Sequence, residues 1–332
     1  MATAEQLKAL LESHVEGDDD RFFSVIVQLA AHAARQGHGN LAQELRAFVD
    51  KAKVAGGSPA GRGGARHAVP VAQPRGELSA LLLASYPKAK LSDLVLDGPL
   101  RSLLDRILLE QRQREKLAAR ALQPRRKVLL IGPPGTGKTY TARALAGELH
   151  LPLFTVLLDG LITKYMGETA AKLRLVFDAV AKTRGVYLFD EFDALGGERG
   201  NPNDVGEARR TLNSFLQFLE QDESESILLA ATNHVALLDR ALFRRFDDII
   251  EFKLPDETLA VDVMKARLVV LNPAKLGWRA LGRAAVGLSH AEIVKACDDA
   301  AKEAVLHDRE EVSQQVLLAS LARRREGRIP FC

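Results

Sequence analysis

Cysteine is nearly missing: Cys297 and Cys332 are the only two among 332 residues. One falls in a helix-patterned stretch and the other at the very end, so no disulfide framework of the kind that staples small secreted domains is available. A reducing compartment is the expectation. Charge of one sign is equally scarce, because 46 Lys and Arg against 43 Asp and Glu leave a formal net of +3. Composition alone therefore gives no reason to invoke nucleic acid or a charged surface as partner. No apolar run reaches the roughly 18 residues of a membrane span. The opening stretch MATAEQLKALLESHVEGDDD is acidic and amphipathic, without the basic region and apolar core of an export signal. The expected location is cytoplasmic, with no membrane partner. What remains is ordinary globular material, 47% hydrophobic and 27% charged, long enough for two or three domains.

Organisation changes along the chain. Residues 1–54 read as a small helical domain: Leu7, Leu10 and Leu11 recur at helical spacing, then Phe22, Val25, Ile26 and Leu29, then Leu41, Leu45 and Val49. Its expected task is to bind substrate or a partner. Residues 55–76 are rich in Gly and Pro with almost nothing to bury, and read as a flexible linker of about 25 Å coil span. From 77 to 254 short apolar runs alternate with helical patterns. KVLLI (127–131), FTVLL (154–158), VYLFD (186–190), ILLAA (227–231) and DIIEF (248–252) are strand-like. The fold class expected is α/β, a parallel sheet covered on both faces. Residues 255–332 return to a helical signal and read as a separate helical subdomain.

Directly after the first of those strands comes GPPGTGKT, opening a helix. It matches Gly-x4-Gly-Lys-Ser/Thr, a phosphate-binding loop whose glycines let backbone N–H groups close around phosphate oxygens. The residues concerned are Gly132, Pro133, Pro134, Gly135, Thr136, Gly137, Lys138 and Thr139. Lys138 would reach the β and γ phosphates of ATP, and Thr139 would ligate Mg²⁺. In VYLFDEFD, Asp190 follows four apolar residues at the end of a strand, where open α/β sheets bind ligands. It could hold Mg²⁺ through water, and Glu191 could polarise the attacking water. Asn233, after the ILLAAT run, could orient the same water. A carboxylate pair or an Asn at a strand end can also be merely solvated. Joined to the phosphate loop, the catalytic reading prevails.

LDRALFRRFDD puts Arg244 and Arg245 at the end of a short helix before the last strand. That position is too far from the chain's own phosphate loop for a short reach, so both are expected to serve a neighbour's nucleotide. A solvated pair, or a bridge to Asp247 or Asp248, is the plainer alternative.

Taken together, GPPGTGKT, LFDEFD, ATN and LDRALFRRFD resemble the AAA family of ATPases in order and spacing, over roughly residues 85–325. The resemblance implies a P-loop α/β module, a helical lid, and a homo-hexameric ring with ATP and Mg between subunits. By position it makes Gly132 to Thr139 the nucleotide loop, Asp190 the Mg holder, Glu191 the water activator, Asn233 a sensor, and Arg244 with Arg245 trans-acting fingers. One departure stands out. Where protein-remodelling members commonly carry GxSGAD, this chain has GLSHAEI, so His290 replaces a glycine near the expected base. The LSDLVL stretch around Asp93 and Leu94 aligns loosely with the adenine-side segment. The whole layout also looks like bacterial AAA ATPases encoded beside a subtilisin-like serine protease, in pairs linked to plasmid competition and phage defence. Neither HExxH nor GxSxG occurs in the chain itself.

Three functions fit such an engine: pulling polypeptide through a ring, moving nucleic acid, or switching a partner. The basic stretches 111–127 and 322–328 keep nucleic acid open. Against it stands the segment Lys164, Tyr165, Met166 and Gly167, an apolar and adaptable grip rather than a Lys/Arg track. In the family, an aromatic-hydrophobic-Gly loop in this place lines the pore and grips polypeptide. A second pore segment is expected at 196–207, from its loop composition.

Overall fold

The computed structural model describes residues 73–161, 168–195, 202–235, 240–269, 276–309 and 311–326. All of them belong to the unit Ala72–Cys332. The expected N-terminal domain (1–54), most of the linker, the Lys164–Gly167 segment, residues 196–201 and Cys332 lie outside the described residues.

Six strands form one sheet: β1 (Leu82–Ser85), β2 (Lys127–Ile131), β3 (Leu153–Val156), β4 (Val186–Phe189), β5 (Ile227–Thr232) and β6 (Asp248–Glu251), in the order β1-β3-β4-β5-β2-β6. Five run parallel, as the alternating pattern predicts. The sixth corrects it: β1 is an antiparallel edge strand, Leu82 facing Val156 and Ser85 facing Leu153. Four residues inside LSALLLAS leave no period to read, and only the partner β3 makes them a strand. FTVLL is also shorter as strand than expected, since Leu158 already begins a helical turn.

The helices of this part are α1 (Gly98–Arg112), α2 (Arg114–Ala118), α3 (Lys138–Leu149), α4 (Leu158–Leu161), α5 (Glu168–Lys182), α6 (Pro202–Gln221) and α7 (Arg240–Phe243). Strand alternation divides the core in two. On one face Leu129, Phe154, Tyr187, Phe189 and Leu228 pack with Val176 and Phe177 of α5 and Phe215 of α6. On the other, Val128, Leu130, Leu188 and Leu229 pack with Leu104 and Ile107 of α1 and Leu145 of α3. Residues 202–207, expected as loop, are helical. Pro202 is the first residue of α6, where its fixed φ suits a helix start and its missing N–H leaves nothing unpaired.

Beyond the sheet, α8 (Glu257–Leu268), α9 (Trp278–Ala285), α10 (His290–Leu306) and α11 (Gln314–Glu326) gather around a third core that includes Met264, Leu281, Ile293, Cys297 and Leu317. Asp256 caps α8 through Leu259 N–H, and Ser289 with Glu292 forms a reciprocal box at the start of α10. Burial raises the Cys297 thiol to about 12, so it stays protonated as a core residue. Among the described residues no helix is long and apolar enough to cross a membrane.

Candidate active site

Register decides what meets at the sheet's edge. Ile131 faces Thr232 across β2 and β5, and Phe189 faces Ala230 across β4 and β5. The residues that follow these strands, Gly132, Asp190 and Asn233, therefore emerge side by side at the C-terminal edge.

The loop's glycines are needed one by one. Gly132 (φ 140°), Gly135 (φ 75°) and Gly137 (φ 107°) all occupy the left-handed side of backbone space. A Cβ on Gly132 would run into the Phe252 backbone, and one on Gly135 would meet Ser289 Oγ at 2.8 Å. Helix α3 opens with no side-chain cap on its first N–H groups, so those donors are free to face an anion. Lys138 Nζ donates to Gly132 O at 2.7 Å, Pro133 O at 2.8 Å and Asn233 Oδ1 at 2.7 Å. All three acceptors are neutral, so no direct contact cancels its charge. Burial lowers its pKa, while Asp190 and Asp193 act in the opposite direction.

Thr139 Oγ1 donates to Asp190 Oδ2 at 2.7 Å. A hydroxyl and a carboxylate sharing one point is the donor set a hard divalent cation takes, alongside phosphate oxygens. The residues present thus fit both ATP and Mg. Asp190 Oδ1 also accepts the Glu191 N–H at 3.1 Å, and Glu191 sits at φ 51°. Just behind it Phe192 is fully buried against Phe215, with ring centroids 4.7 Å apart. That anchor holds the strained turn that presents the Glu191 carboxylate.

Two supports were missed by sequence reasoning. Asp193 accepts from Thr232 Oγ1 at 2.8 Å, and the same hydroxyl accepts the His234 N–H at 3.0 Å, which brackets Asn233. The signal was present, since Asp193 stands inside the quoted VYLFDEFD. The other is the lid: Ala291 N–H donates to Gly135 O at 3.0 Å, joining α10 directly to the phosphate loop. Nothing in the sequence marks that bond.

Together these groups line a cavity of 640 Å³ that continues between Leu94, Val95, Val263, Ala266, His290 and Val294. Phosphate chemistry lies at one end and an apolar slot at the other, the shape of a nucleotide. Arg244 and Arg245 are elsewhere. They precede β6, whose Asp248 pairs with Val128 near the start of β2, so they lie at the opposite edge from the loop. A strand of four residues, about 13 Å, separates the two edges. Arg244 is exposed. Arg245 pairs with Glu220 on α6, not with Asp247 or Asp248. Asp247 instead accepts the N–H groups of Arg126 and Lys127, and Asp248 pairs with Arg125.

Residues 128–254 match the family model for the ATPase family associated with various cellular activities (AAA). An uncharacterised AAA family ATPase, y4kL, of Sinorhizobium fredii is 34% identical over 335 residues, spanning 98% of each chain. A proteasome-activating nucleotidase of Methanoregula boonei is 33% identical over 208 residues, 60% of this chain and 48% of the relative. An ATP-dependent zinc metalloprotease, FtsH 3, of Sphaerobacter thermophilus is 34% identical over 247 residues, 72% of this chain and 50% of the relative. This chain thus aligns with about half the length of these last two. With a likeness that runs end to end in the Sinorhizobium protein, and a phosphate loop built as its motif requires, the chain belongs to the AAA family of ATPases.

Proposed function

We propose that this ATPase assembles into a homo-hexameric ring and uses hydrolysis to thread or remodel polypeptide. Lys138 and the N–H groups opening α3 would hold the phosphates, and Thr139 and Asp190 would hold Mg. Bound Mg would supply neutralisation of phosphate charge. The Glu191 carboxylate would take a proton from the attacking water, which Asn233 orients. Arg244 and Arg245 would act on a neighbouring subunit's nucleotide. Lys164, Tyr165, Met166 and Gly167 would grip the substrate in the pore.

The observation that favours polypeptide over nucleic acid is the fate of the basic stretches. Arg112 pairs with Glu148, Arg114 with Glu225, Arg125 with Asp248 and Arg126 with Asp222. In the last helix Arg324 pairs with Asp299, and Arg325 donates to the carbonyls of Ala284 and Val286. These arginines are engaged within the chain, and among the described residues of the two stretches Lys116 and Arg120 are the exposed cations left unengaged for a phosphate backbone, fewer than a binding track needs. The relatives named as proteasome-activating nucleotidase and zinc metalloprotease point the same way. A separate serine protease of the subtilisin-like kind, in a phage-defence or plasmid-competition pair, would then receive the threaded chain. A switch that controls a partner without pulling remains the second reading.

The test is unfolding of a tagged fluorescent protein by the wild type and by Tyr165→Ala. The variant should hydrolyse ATP at near wild-type rate and lose most unfolding. An unchanged unfolding rate defeats the threading reading, and no unfolding by either protein with full ATPase favours the switch.

A further inference from the structure

Three side-chain hydrogen bonds join the segments at the sheet's catalytic edge. Lys138 Nζ donates to Asn233 Oδ1 at 2.7 Å, Thr139 Oγ1 to Asp190 Oδ2 at 2.7 Å, and Thr232 Oγ1 to Asp193 Oδ1 at 2.8 Å. With the chain itself they close a circuit, because Lys138 adjoins Thr139, Asn233 adjoins Thr232, and Asp190 and Asp193 stand in one turn. The links differ in what a nucleotide would do to them. Lys138 is the side chain that would turn to phosphate, and Thr139 and Asp190 are the pair that would face Mg. Thr232 and Asp193 belong to neither group, so theirs is the link that loading leaves in place.

That link has a particular position. Backbone pairing between β4 and β5 stops at Phe189 and Ala230. Past that pair Glu191 takes φ 51°, and the Ala194 N–H donates to Glu191 O at 2.8 Å, closing a turn that contains Asp193. On the other strand Thr232 is fully buried, and its hydroxyl donates to Asp193 while accepting the His234 N–H at 3.0 Å, which fixes its direction. Phe192 seats the turn against Phe215 of α6, a different element. Among the described residues the Thr232–Asp193 bond is therefore the side-chain tie between the Glu191 turn and the end of β5 that carries Asn233. A water shared by a base and an orienting amide is sensitive to their spacing, since a misplacement of about 1 Å can cost roughly 10²-fold in rate.

We propose that Asp193 is a positioning residue for hydrolysis: through the Thr232 hydroxyl it holds the Glu191 turn at a fixed spacing from Asn233, so that carboxylate and amide address one water. The proposal rests on the roles given to Glu191 and Asn233 in the proposed function. It assigns the effect to the hydrogen bond and not to the charge, although the Asp193 carboxylate, after Asp190, also opposes the lowering of the Lys138 pKa that burial causes.

The experiment measures kcat and the affinity for a ribose-labelled fluorescent ADP on the full chain. Asp193→Ala and Thr232→Val break the bond from either side, the second leaving the carboxylate in place. Each should lower kcat about 10- to 100-fold with ADP affinity near wild type. Asp193→Asn keeps an acceptor and Thr232→Ser keeps a hydroxyl, and both should retain most of kcat. In a Glu191→Gln background Asp193→Ala should add no further loss, because the two act as a unit. Amide exchange across residues 186–194 without nucleotide should quicken in both bond-breaking variants. If Asp193→Ala fails to fold, as thermal melting would show, Thr232→Val carries the test. Wild-type kcat in Thr232→Val, with Asp193→Asn as impaired as Asp193→Ala, would place the effect in the charge and overturn the proposal. Near-normal hydrolysis by Glu191→Gln would remove the premise, and the inference falls with it. If Glu191→Gln is inactive while Asp193→Ala and Thr232→Val turn over like wild type, the inference alone falls.

Discussion

Glu191 lies at φ 51°, a conformation that costs a non-glycine residue roughly 1 kcal/mol and that persists only where neighbours impose it. Phe192 buried behind it and Asp190 accepting its N–H are those neighbours. A carboxylate presented this way can serve as a base, whereas the isosteric amide keeps the shape and cannot take a proton. Glu191→Gln should therefore bind ATP as wild type does while turnover falls about 10²- to 10⁴-fold. Phosphate release measured beside nucleotide binding checks it, and near-normal release would remove Glu191 from the catalytic role. At this scale the phosphate loop was legible because its requirements are local: three positive-φ glycines at fixed spacing and a lysine as the first residue of the helix that follows. His290 was legible only as an oddity. Its surroundings include Val95 and Asp97, almost 200 positions earlier, and no local pattern carries that.

At the scale of elements, α8 shows how one side chain sets a boundary. Asp256 Oδ1 accepts the Leu259 N–H at 2.7 Å and the Thr258 hydroxyl at 2.7 Å. The Leu259 backbone bond first, then the Thr258 side chain, lower the Asp256 pKa beneath its usual 3.8. Asp256→Ala should cost about 1 kcal/mol of stability at pH 7. Because the folded-state pKa is depressed, the cap's contribution is complete above the unfolded value and is lost as pH falls through the folded one. Thermal melts of both proteins should show a gap at pH 7 that narrows below pH 3.8. A gap independent of pH would mean the residue acts through packing instead. Four of the parallel strands were readable as largely buried apolar runs flanked by helix signals, and β6, where only Ile250 is buried, by the paired isoleucines of DIIEF. The edge strand β1 was not, since its hydrogen bonds go to a segment some seventy residues away. The first turn of α6 was read as loop because Pro202 and Gly206 weigh against helix, yet proline at a helix start is favourable.

For the whole molecule, the separation of Arg244 and Arg245 from the chain's own loop would, in the proposed ring, make each subunit's hydrolysis depend on its neighbour's arginines. The two arginines also differ. Arg245 has a partner in Glu220, while Arg244 is exposed. Arg244→Ala should lower kcat about 10³-fold or more without loss of nucleotide affinity, and Arg245→Ala should have the smaller effect. Mixing Arg244→Ala with Glu191→Gln subunits should restore part of the activity where an intact neighbour pair forms. No recovery at any ratio would place the arginines outside a shared site. The spacing of these arginines was visible in the sequence; which of the two is tied to Glu220 required the α6 contact.

The hydrogen bond from Ala291 to Gly135 has a mechanical side. It makes the first turn of α10 a fulcrum seated on the phosphate loop. The helix runs 17 residues from there, about 25 Å at 1.5 Å per residue. A tilt of about 10° at the fulcrum would carry the far end through roughly 4 Å, a geometric gain set by that length. Val305 and Leu306, 62% and 78% exposed, form that far end. A small displacement at Gly135 would thereby reach an apolar tip, enlarged, if the lid helices packed around α10 turned with it.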